Sequence, residues 1–508
     1  MSAALPSPGR PGQVPAWRLA LIAFALTLGV FWLEGRSRIN LDDEGFLWYG
    51  AVRTSLGDVP VRDFQSYEPG RYYWSAAWLR LLRSDGIVTL RLSLSAFQGI
   101  GVLLGLLSLR RVIRSLPGLA LAALLLTAWM WPAFRAFESG FALAAVLAGT
   151  RLLEQPSGRR CFQAGVCVGF GAFLGKNLGL YCLVGLAVAI LLAKRPGPTS
   201  SLRCRMGVWA GGIFTGAVPL LLICCLARGF IGAELEDIGH WVRAGATNIG
   251  RPFPWPWLAP NRSVAPLGTL ILLTPVVYAA AGLLAVRART LAPVLVSASS
   301  VGAACFHQVV SRPDLYHLAS CIPPALVAGI AISAQRSPGR RRMLASLPLL
   351  AIVVLSWLTV GSRHRDYLYE ALGRVRTIDM DVRGERLRLP RREARFLGSF
   401  LRMRSQMKPG ETLLVAPASP GVYALLGLKA PVWTLFFWFR ESPARELLMI
   451  QQLAERKTNW ALVCDYSFDS AGRLRFALLN PLLWNHLQQA FEPVDAADAP
   501  CPVYHRRD

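Results

Sequence analysis

Hydrophobic residues along this chain come in long unbroken blocks, where the strands and helices of a soluble protein would alternate them with polar positions. The first block runs from Trp17 to Leu33, and further blocks follow at about 86–108, 117–133, 138–152, 161–175, 177–193, 206–227, 264–286, 291–310, 316–334 and 343–361. Such blocks point to about eleven helices that cross lipid. Several fall short of the ~20 residues a straight crossing needs, which tilt or burial inside a bundle would accommodate. Residues 1–16 are polar and rich in Pro and Gly and read as a disordered tail. The first block ends in Phe31-Trp32-Leu33-Glu34 with no small-residue cleavage site, so it reads as an uncleaved anchor. From Arg363 onward the apolar runs shrink to strand length and charge density rises. Residues 412–416, 431–435 and 460–464 read as buried strands, alternating with helical stretches near 391–407 and 443–456, the order of a small α/β domain with a partly parallel sheet. The plan is a tail at 1–16, a polytopic all-α membrane domain at 17–361 and an α/β domain at 362–508, with one long loop at 36–85 after the first span.

Composition supports lipid as the solvent: 53% of the 508 residues are hydrophobic and 17% charged, with a mean hydropathy of +0.39. In a soluble protein the net charge of +25 would suggest nucleic acid. Here the cations cluster between apolar blocks, at Arg110, Arg111 and Arg114; Arg159 and Arg160; Lys194, Arg195, Arg203 and Arg205; Arg287 and Arg289; and Arg336 with Arg340 to Arg342. Counting crossings puts every cluster on the side of the amino terminus, the cytoplasm by the positive-inside rule, so no nucleic-acid partner is expected. The 36–85 loop, the turns at 133–138, 175–177 and 311–315, the 228–263 loop and the tail from 362 then face outward. In a bacterial cell this is an inner-membrane protein whose α/β domain lies in the periplasm or outside the cell. Asn261-Arg262-Ser263 is formally a glycosylation sequon and carries little weight in such a chain. The ten cysteines show no metal-like spacing; only Cys464 and Cys501 fall in the soluble region, and the sequence leaves their pairing open. That region carries no GxGxxG and no P-loop, so it is assigned no nucleotide.

The chemistry concentrates between Asn40 and Arg83. Asp42, Asp43 and Glu44 stand together, followed by Phe46, Trp48 and Tyr49, and a Pro69-Gly70-Arg71 turn leads into Tyr72, Tyr73, Trp74 and Trp78. Trp74, Trp78 and Leu81 share a helical face, so the loop reads as two short helices in the membrane interface, where amphipathic rings settle. The acids also suit a plain helix cap.

An Asp-Glu pair after the first span, then Gly57-x-x-Pro60-x-x-Asp63-Phe64, then Tyr67-Glu68-Pro69-Gly70-Arg71-Tyr72-Tyr73-Trp74, resembles the first outer loop of bacterial membrane glycosyltransferases of the GT-C type. The nearest groups are the protein O-mannosyltransferases (glycosyltransferase family 39-like), the lipid A aminoarabinose transferase and the lipopolysaccharide galacturonosyltransferases. The resemblance covers this loop and the multi-span layout and says little of the last third. It implies a hexosyl- or pentosyltransferase that moves a sugar from a polyprenyl-phosphate donor to an envelope lipid, glycan or protein acceptor on the outer face. It places Asp43 as the catalytic base, with Asp42 and Glu44 beside it and a one-residue ambiguity of register. Similar families carry Pro-Pro-x-x-Tyr-Trp where this chain has Gly70 and Arg71.

Four further places carry ionisable groups at a span edge, costly unless paired or at work. Arg71, with Tyr72, could reach a lipid phosphate or simply snorkel to headgroups. Glu138 could partner Asp43, as the resemblance implies for a second acidic residue, or merely pair with Arg135 at i, i+3. Lys176, beside Asn177, suggests an anionic ligand. Ser311 and Asp314 suit a capping box for the span at 316–334, which leaves Arg312, His317 and nearby His307 as candidates for a phosphate at a helix start. No cofactor is certain; Asp43 and Glu138 could hold one divalent ion, without a firm ligand set. Two competing classes stay open. A lipid or glycan transporter should show polar residues in mid-span or inverted repeats. An O-antigen polymerase or ligase would use a large late loop, for which 228–263 offers His240, Arg243 and Arg251. Sugar, acceptor, carrier length and oligomeric state are not legible.

Overall fold

The structure, a computed structural model, describes residues 13–193, 201–243, 252–258, 264–287, 292–334, 340–467, 472–494 and 501–507. Lys194, Arg195, Arg251, Arg289, Arg336, the sequon at 261–263 and the tail before residue 13 lie outside them. Within the described residues every apolar block is predominantly helical. Six helices are long and apolar enough to cross a bilayer: Ala16–Glu34, Ile87–Leu109, Ala133–Glu154, Ala265–Ala285, Pro293–Ser311 and Leu315–Ser333. Two bent pairs add a crossing each if each counts as one: Leu202–Gly216 with Val218–Leu226, bent by 50°, and Leu347–Leu358 with Val360–Ala371, bent by 42°. The described residues thus support six to eight of the expected eleven crossings. The shortfall is one of length. Leu116–Ala128 has 13 residues and Lys176–Leu192 has 17, about 20 and 26 Å of helix against a ~30 Å hydrocarbon core. Gly158–Leu174, also 17 residues, spends its first turn on Arg159 and Arg160.

The chain forms two compact units, each drawn from three stretches. The first comprises Met1–Phe31, Leu94–Pro219 and Pro252–Arg365 and is helical. Its tightest packing joins Gly158–Leu174 to Leu202–Gly216. A Cβ on Gly165 would fall 2.1 Å from the carbonyl oxygen of Trp209, and one on Gly169 2.1 Å from that of Ile213. Two small-residue rows, Gly165 and Gly169 against Gly212 and Gly216, let the backbones touch where lipid offers no hydrophobic drive for association. Polar side chains do the rest: Gln98 Nε2 donates to the Met130 carbonyl at 2.7 Å, and Trp129 Nε1 to Ser356 Oγ at 2.7 Å. Arg205 is a buried helix cap, donating to the carbonyls of Ile190 and Ala193.

The second unit comprises Trp32–Ser93, Leu220–Arg251 and Asp366–Asp508, and it joins the first outer loop to the carboxyl-terminal region. Six strands form here: β1 (Thr377–Val382), β2 (Glu385–Pro390), β3 (Thr412–Ala416), β4 (Thr458–Val463), β5 (Phe491–Val494) and β6 (Val503–Arg506). The sheet runs β3-β4-β6-β5, parallel at β3-β4 and antiparallel elsewhere, with the helices Arg391–Gln406 and Pro443–Glu455 in the same region. Its core gathers Leu414, Phe437, Leu453, Val463, Phe476 and Leu487. The α/β reading holds, with corrections. Residues 431–435 are not a strand, because the Gln65 side chain takes their donors: its Oε1 accepts from Leu435 N and Phe436 N, both at 2.7 Å, while Gln65 N donates to the Trp433 carbonyl. The β1-β2 hairpin was not foreseen, since alternating charge hides its pattern; positive φ at Arg383 and Gly384 makes its tight turn.

The loop and this region interlock at backbone distance. Gly45, in the helix Asp43–Ser55, meets Gly421, in Gly421–Leu426, so closely that a Cβ on Gly45 would lie 2.6 Å from the Gly421 Cα. Glu385 caps the helix Ile87–Leu109, accepting from Val88 N at 2.6 Å and Thr89 N at 3.1 Å.

Cys464, just after β4, pairs with Cys501, just before β6. The bridge closes a 37-residue separation, for which loop-closure entropy gives about 4 kcal/mol. Cys501→Ser is expected to lower the Tm of the purified protein by several degrees under oxidising conditions and to leave it unchanged under strong reductant.

Candidate functional site

Of the three consecutive acids at the start of Asp43–Ser55, the structure gives each a different environment. Glu44 is 5% exposed and forms a two-point pair with Arg91, Oε1 to Nε at 2.6 Å and Oε2 to Nη2 at 2.7 Å. Arg91 also donates to the carbonyls of Gly35, Ser37 and Arg38, so its remaining hydrogens are occupied. Asp42 does not cap the helix with its side chain; its Oδ1 accepts from Ser419 Oγ at 2.5 Å. Burial raises the Asp42 pKa, the Ser419 hydrogen bond opposes this, and the neighbouring Asp43 charge adds to it. Asp43 is half-buried and has no hydrogen-bond or ion-pair partner among the described residues. The helix start is satisfied without it, by Gly45 N donating to the Asn40 carbonyl and Phe46 N to that of Asp42.

Around these acids the loop builds an aromatic wall. Phe46 lies 5.1 Å from Tyr67 and 4.6 Å from Phe436 between ring centroids, and Phe436 stacks on Trp438 at 4.2 Å. Tyr72 is fully buried, its hydroxyl accepting from Tyr67 N at 3.0 Å, and burial pushes its pKa well up. Arg71 is buried too, its guanidinium 4.9 Å above the Tyr67 ring and 4.0 Å from Glu68.

Glu138, Lys176, Arg312 and His317 belong to the helical unit. Asp314, not Ser311, caps Leu315–Ser333: the short helix His307–Ser311 ends first, and Ser311 Oγ donates back to the His307 carbonyl. Asp314 Oδ1 accepts from His317 N at 3.0 Å and meets His317 Nδ1 at 2.7 Å, while Arg312 Nε lies 3.2 Å from its other oxygen. Burial works against the Asp314 charge, but these partners hold its carboxyl down to about 2. Tyr316 packs on Trp131 at 5.6 Å and Phe134 at 6.0 Å, which brings the 131–138 turn to this helix start. Glu138 is buried and 3.7 Å from Arg135, and Arg135 acts electrostatically on His317. Arg135, Glu138, Arg312, Asp314 and His317 therefore form one cluster. Lys176 opens Lys176–Leu192, whose Tyr181 hydroxyl bonds His307 Nδ1 at 3.2 Å. Of the loop at 228–263, His240 is buried beside Glu441, 3.7 Å away, and burial with the charges of Arg445 and Arg243 lowers its pKa to about 4. The described residues contain no group of three or more His, Cys, Asp or Glu placed to hold a metal ion.

Sequence reading missed Arg91 and Ser419. Arg91 had a signal, since it is the single charged residue between Ile87 and Leu109. Ser419 had none; only the fold brings it 377 positions back along the chain to Asp42.

Removing one partner of a buried pair leaves the other charge stranded, so Arg91→Met is expected to cost about 3–5 kcal/mol, read as a large fall in Tm in detergent. Asp42 behaves oppositely. Its folded pKa is raised, so it favours folding only below its ordinary range and opposes it as pH rises through the folded value. Asp42→Asn should therefore raise Tm at neutral pH, with the gain vanishing below about pH 4.

No protein-family model matches the sequence, and no curated protein matches it. Solved structures do. ArnT from Cupriavidus metallidurans, bound to undecaprenyl phosphate, superposes with a TM-score of 0.54 at 13% identity over 95% of this chain and 97% of that one. The oligosaccharyltransferase AglB from Archaeoglobus fulgidus, in complex with an inhibitory peptide and a dolichol-phosphate, gives 0.46 at 10% identity over 94% and 72%. With its apolar helices, small carboxyl-terminal α/β region and likeness to ArnT, this multi-pass membrane chain has the fold of the GT-C membrane glycosyltransferases.

Proposed function

We propose that the protein is a glycosyltransferase that moves a sugar from a polyprenyl-phosphate donor to a hydroxyl acceptor, with Asp43 as general base. The observation that carries this reading is the division of labour among the three acids. Glu44 is committed to Arg91 and Asp42 to Ser419, which leaves the Asp43 carboxylate as the one with lone pairs to spare. That division supports Asp43 in the register the sequence left open. Binding of undecaprenyl phosphate by ArnT, whose fold this chain shares, supports the class of donor.

In the proposed reaction the acceptor oxygen attacks the anomeric carbon as its proton passes to Asp43. The bond to the lipid phosphate breaks on the opposite face, and the configuration inverts. Polyprenyl phosphate leaves as an anion and needs cations more than acid catalysis; Arg71 is the candidate in the unit that holds Asp43. Within the helical unit, Arg312, Arg135 and Lys176 supply positive charge and Asp314 fixes the His317 ring, a set suited to an anionic group. Glu138 is assigned to holding Arg135. Glu44 and Tyr72 are positioning residues, and the described residues supply no three-ligand donor set for a metal. The cation clusters orient the chain with its amino terminus in the cytoplasm and residues 36–85 and 362–508 outside, and a Cys464–Cys501 bridge suits that oxidising side.

The test is transfer in proteoliposomes from a panel of polyprenyl-phosphate sugars. Asp43→Asn is expected to lower turnover about 10²–10⁴-fold with donor binding retained, while Asp42→Asn keeps activity within a few-fold. Equal activity of both variants and wild type would overturn the assignment. Loss in His240→Gln but not in Asp43→Asn would favour a polymerase or ligase centred on the 228–263 loop.

A further inference from the structure

The helical unit contains a cavity of about 300 Å³ that the transfer reaction does not use, enclosed by Ile87–Leu109, Ala136–Glu154 and Gly158–Leu174. Its shape follows from two antiparallel rails. On one helix the lining runs from Arg151 to Phe141, on the next from Arg160 to Phe170, a separation of ten positions each, or ~15 Å of helix. That is half the ~30 Å hydrocarbon thickness, the depth of one leaflet. The two guanidinium groups mark one end and the rings of Phe141 and Phe170, 6.1 Å apart, the other. Between them the floor is small and apolar, with Ala144 and Ala148. Phe170 is 38% exposed, so the groove opens on the outer surface of the bundle.

The polar end carries unbalanced positive charge. Arg151 has Arg160, Arg111 and Arg110 within electrostatic reach and only Glu154 of opposite sign, and Glu154 is already bonded to Arg111 at 2.8 Å. Arg160 donates to Gln163 at 2.9 Å. Arg151 is half-buried, and its side chain has no hydrogen-bond or ion-pair partner among the described residues. A half-buried guanidinium among other guanidinium groups asks for an anion, and an apolar channel leading away from it asks for a hydrocarbon tail.

We infer that this groove seats an anionic phospholipid of the leaflet on the Arg110–Arg111 side, its phosphate against Arg151 and Arg160 and one acyl chain running to Phe141 and Phe170. The groove's lining includes none of the residues assigned to the transfer reaction, and on Ala136–Glu154 itself Glu138 precedes Arg151 by 13 positions.

Native mass spectrometry of the full-length protein, stripped of bound lipid and re-equilibrated with phosphatidylglycerol or phosphatidylcholine, tests this. Wild type is expected to retain phosphatidylglycerol at least about tenfold better than phosphatidylcholine. Arg151→Gln with Arg160→Gln should lose that preference, and Ala148→Phe, which fills the groove while keeping the charges, should lose retention too. Equal retention of the two lipids by wild type overturns the proposal. So does undiminished retention in Ala148→Phe, which would reduce the site to surface charge, or phosphatidylglycerol release by inorganic phosphate alone. A third substitution, Arg114→Gln, reports whether any loss follows from charge in general, and an unchanged Tm across the set shows that the variants are folded.

Discussion

The pairing of Arg91 with Glu44 sets the geometry on which the candidate site depends. A charge one turn into a span-length helix is tolerated only if it is satisfied from all sides, and Arg91 is, by one carboxylate and three carbonyls. Those carbonyls belong to the stretch that follows the first helix, and the carboxylate to the helix after it. One guanidinium therefore fixes where the first span ends, how the loop turns and at what rotation Asp43–Ser55 begins. The rotation is what matters chemically. With Glu44 committed to Arg91, adjacent Asp43 stays half-buried and outside that pair. The same residue types shifted by one position would bury the proposed base and expose its neighbour.

The sequence was most legible where lipid imposes the pattern. Within the described residues every apolar block became predominantly helical, because a chain in hydrocarbon has no other way to satisfy its backbone. Whether a block crosses is harder to read. Leu116–Ala128 and Lys176–Leu192 are apolar throughout yet short, and composition alone does not distinguish a full crossing from a helix enclosed by others. In the carboxyl-terminal region local pattern found β3, β4 and two helices within a residue or two and failed at residues 431–435, where apolar character suggested a strand but one glutamine side chain had taken the ladder's place. That side chain is 366 positions upstream of Pro431, beyond any window of local reading.

The candidate site divides the same way. Three acids in a row and a Pro-Gly-Arg turn beside aromatic residues are local signals and were visible. Which acid is free is not, since the answer lies with Arg91 and Ser419. Even the helix start at 311–315 was read one motif too early: Ser-x-x-Asp is a capping signature, but Pro313 forces the chain to stop and restart, so the cap passes to Asp314 and turns it toward His317.

The interlock of Gly45 with Gly421 has a bearing on biosynthesis. Asp42 and Ser419 are separated by 377 residues, so at ribosomal speeds of about 5–20 residues per second the loop emerges roughly 20 to 75 seconds before the segment that covers it. Throughout that interval Phe46 and Tyr49 lack their carboxyl-terminal packing partners Phe436 and Tyr423, and the helix Asp43–Ser55 is held by Arg91 and by the loop's own side chains alone. Early completion of that one pair, within the first hundred residues, keeps the loop folded while the rest of the chain is inserted.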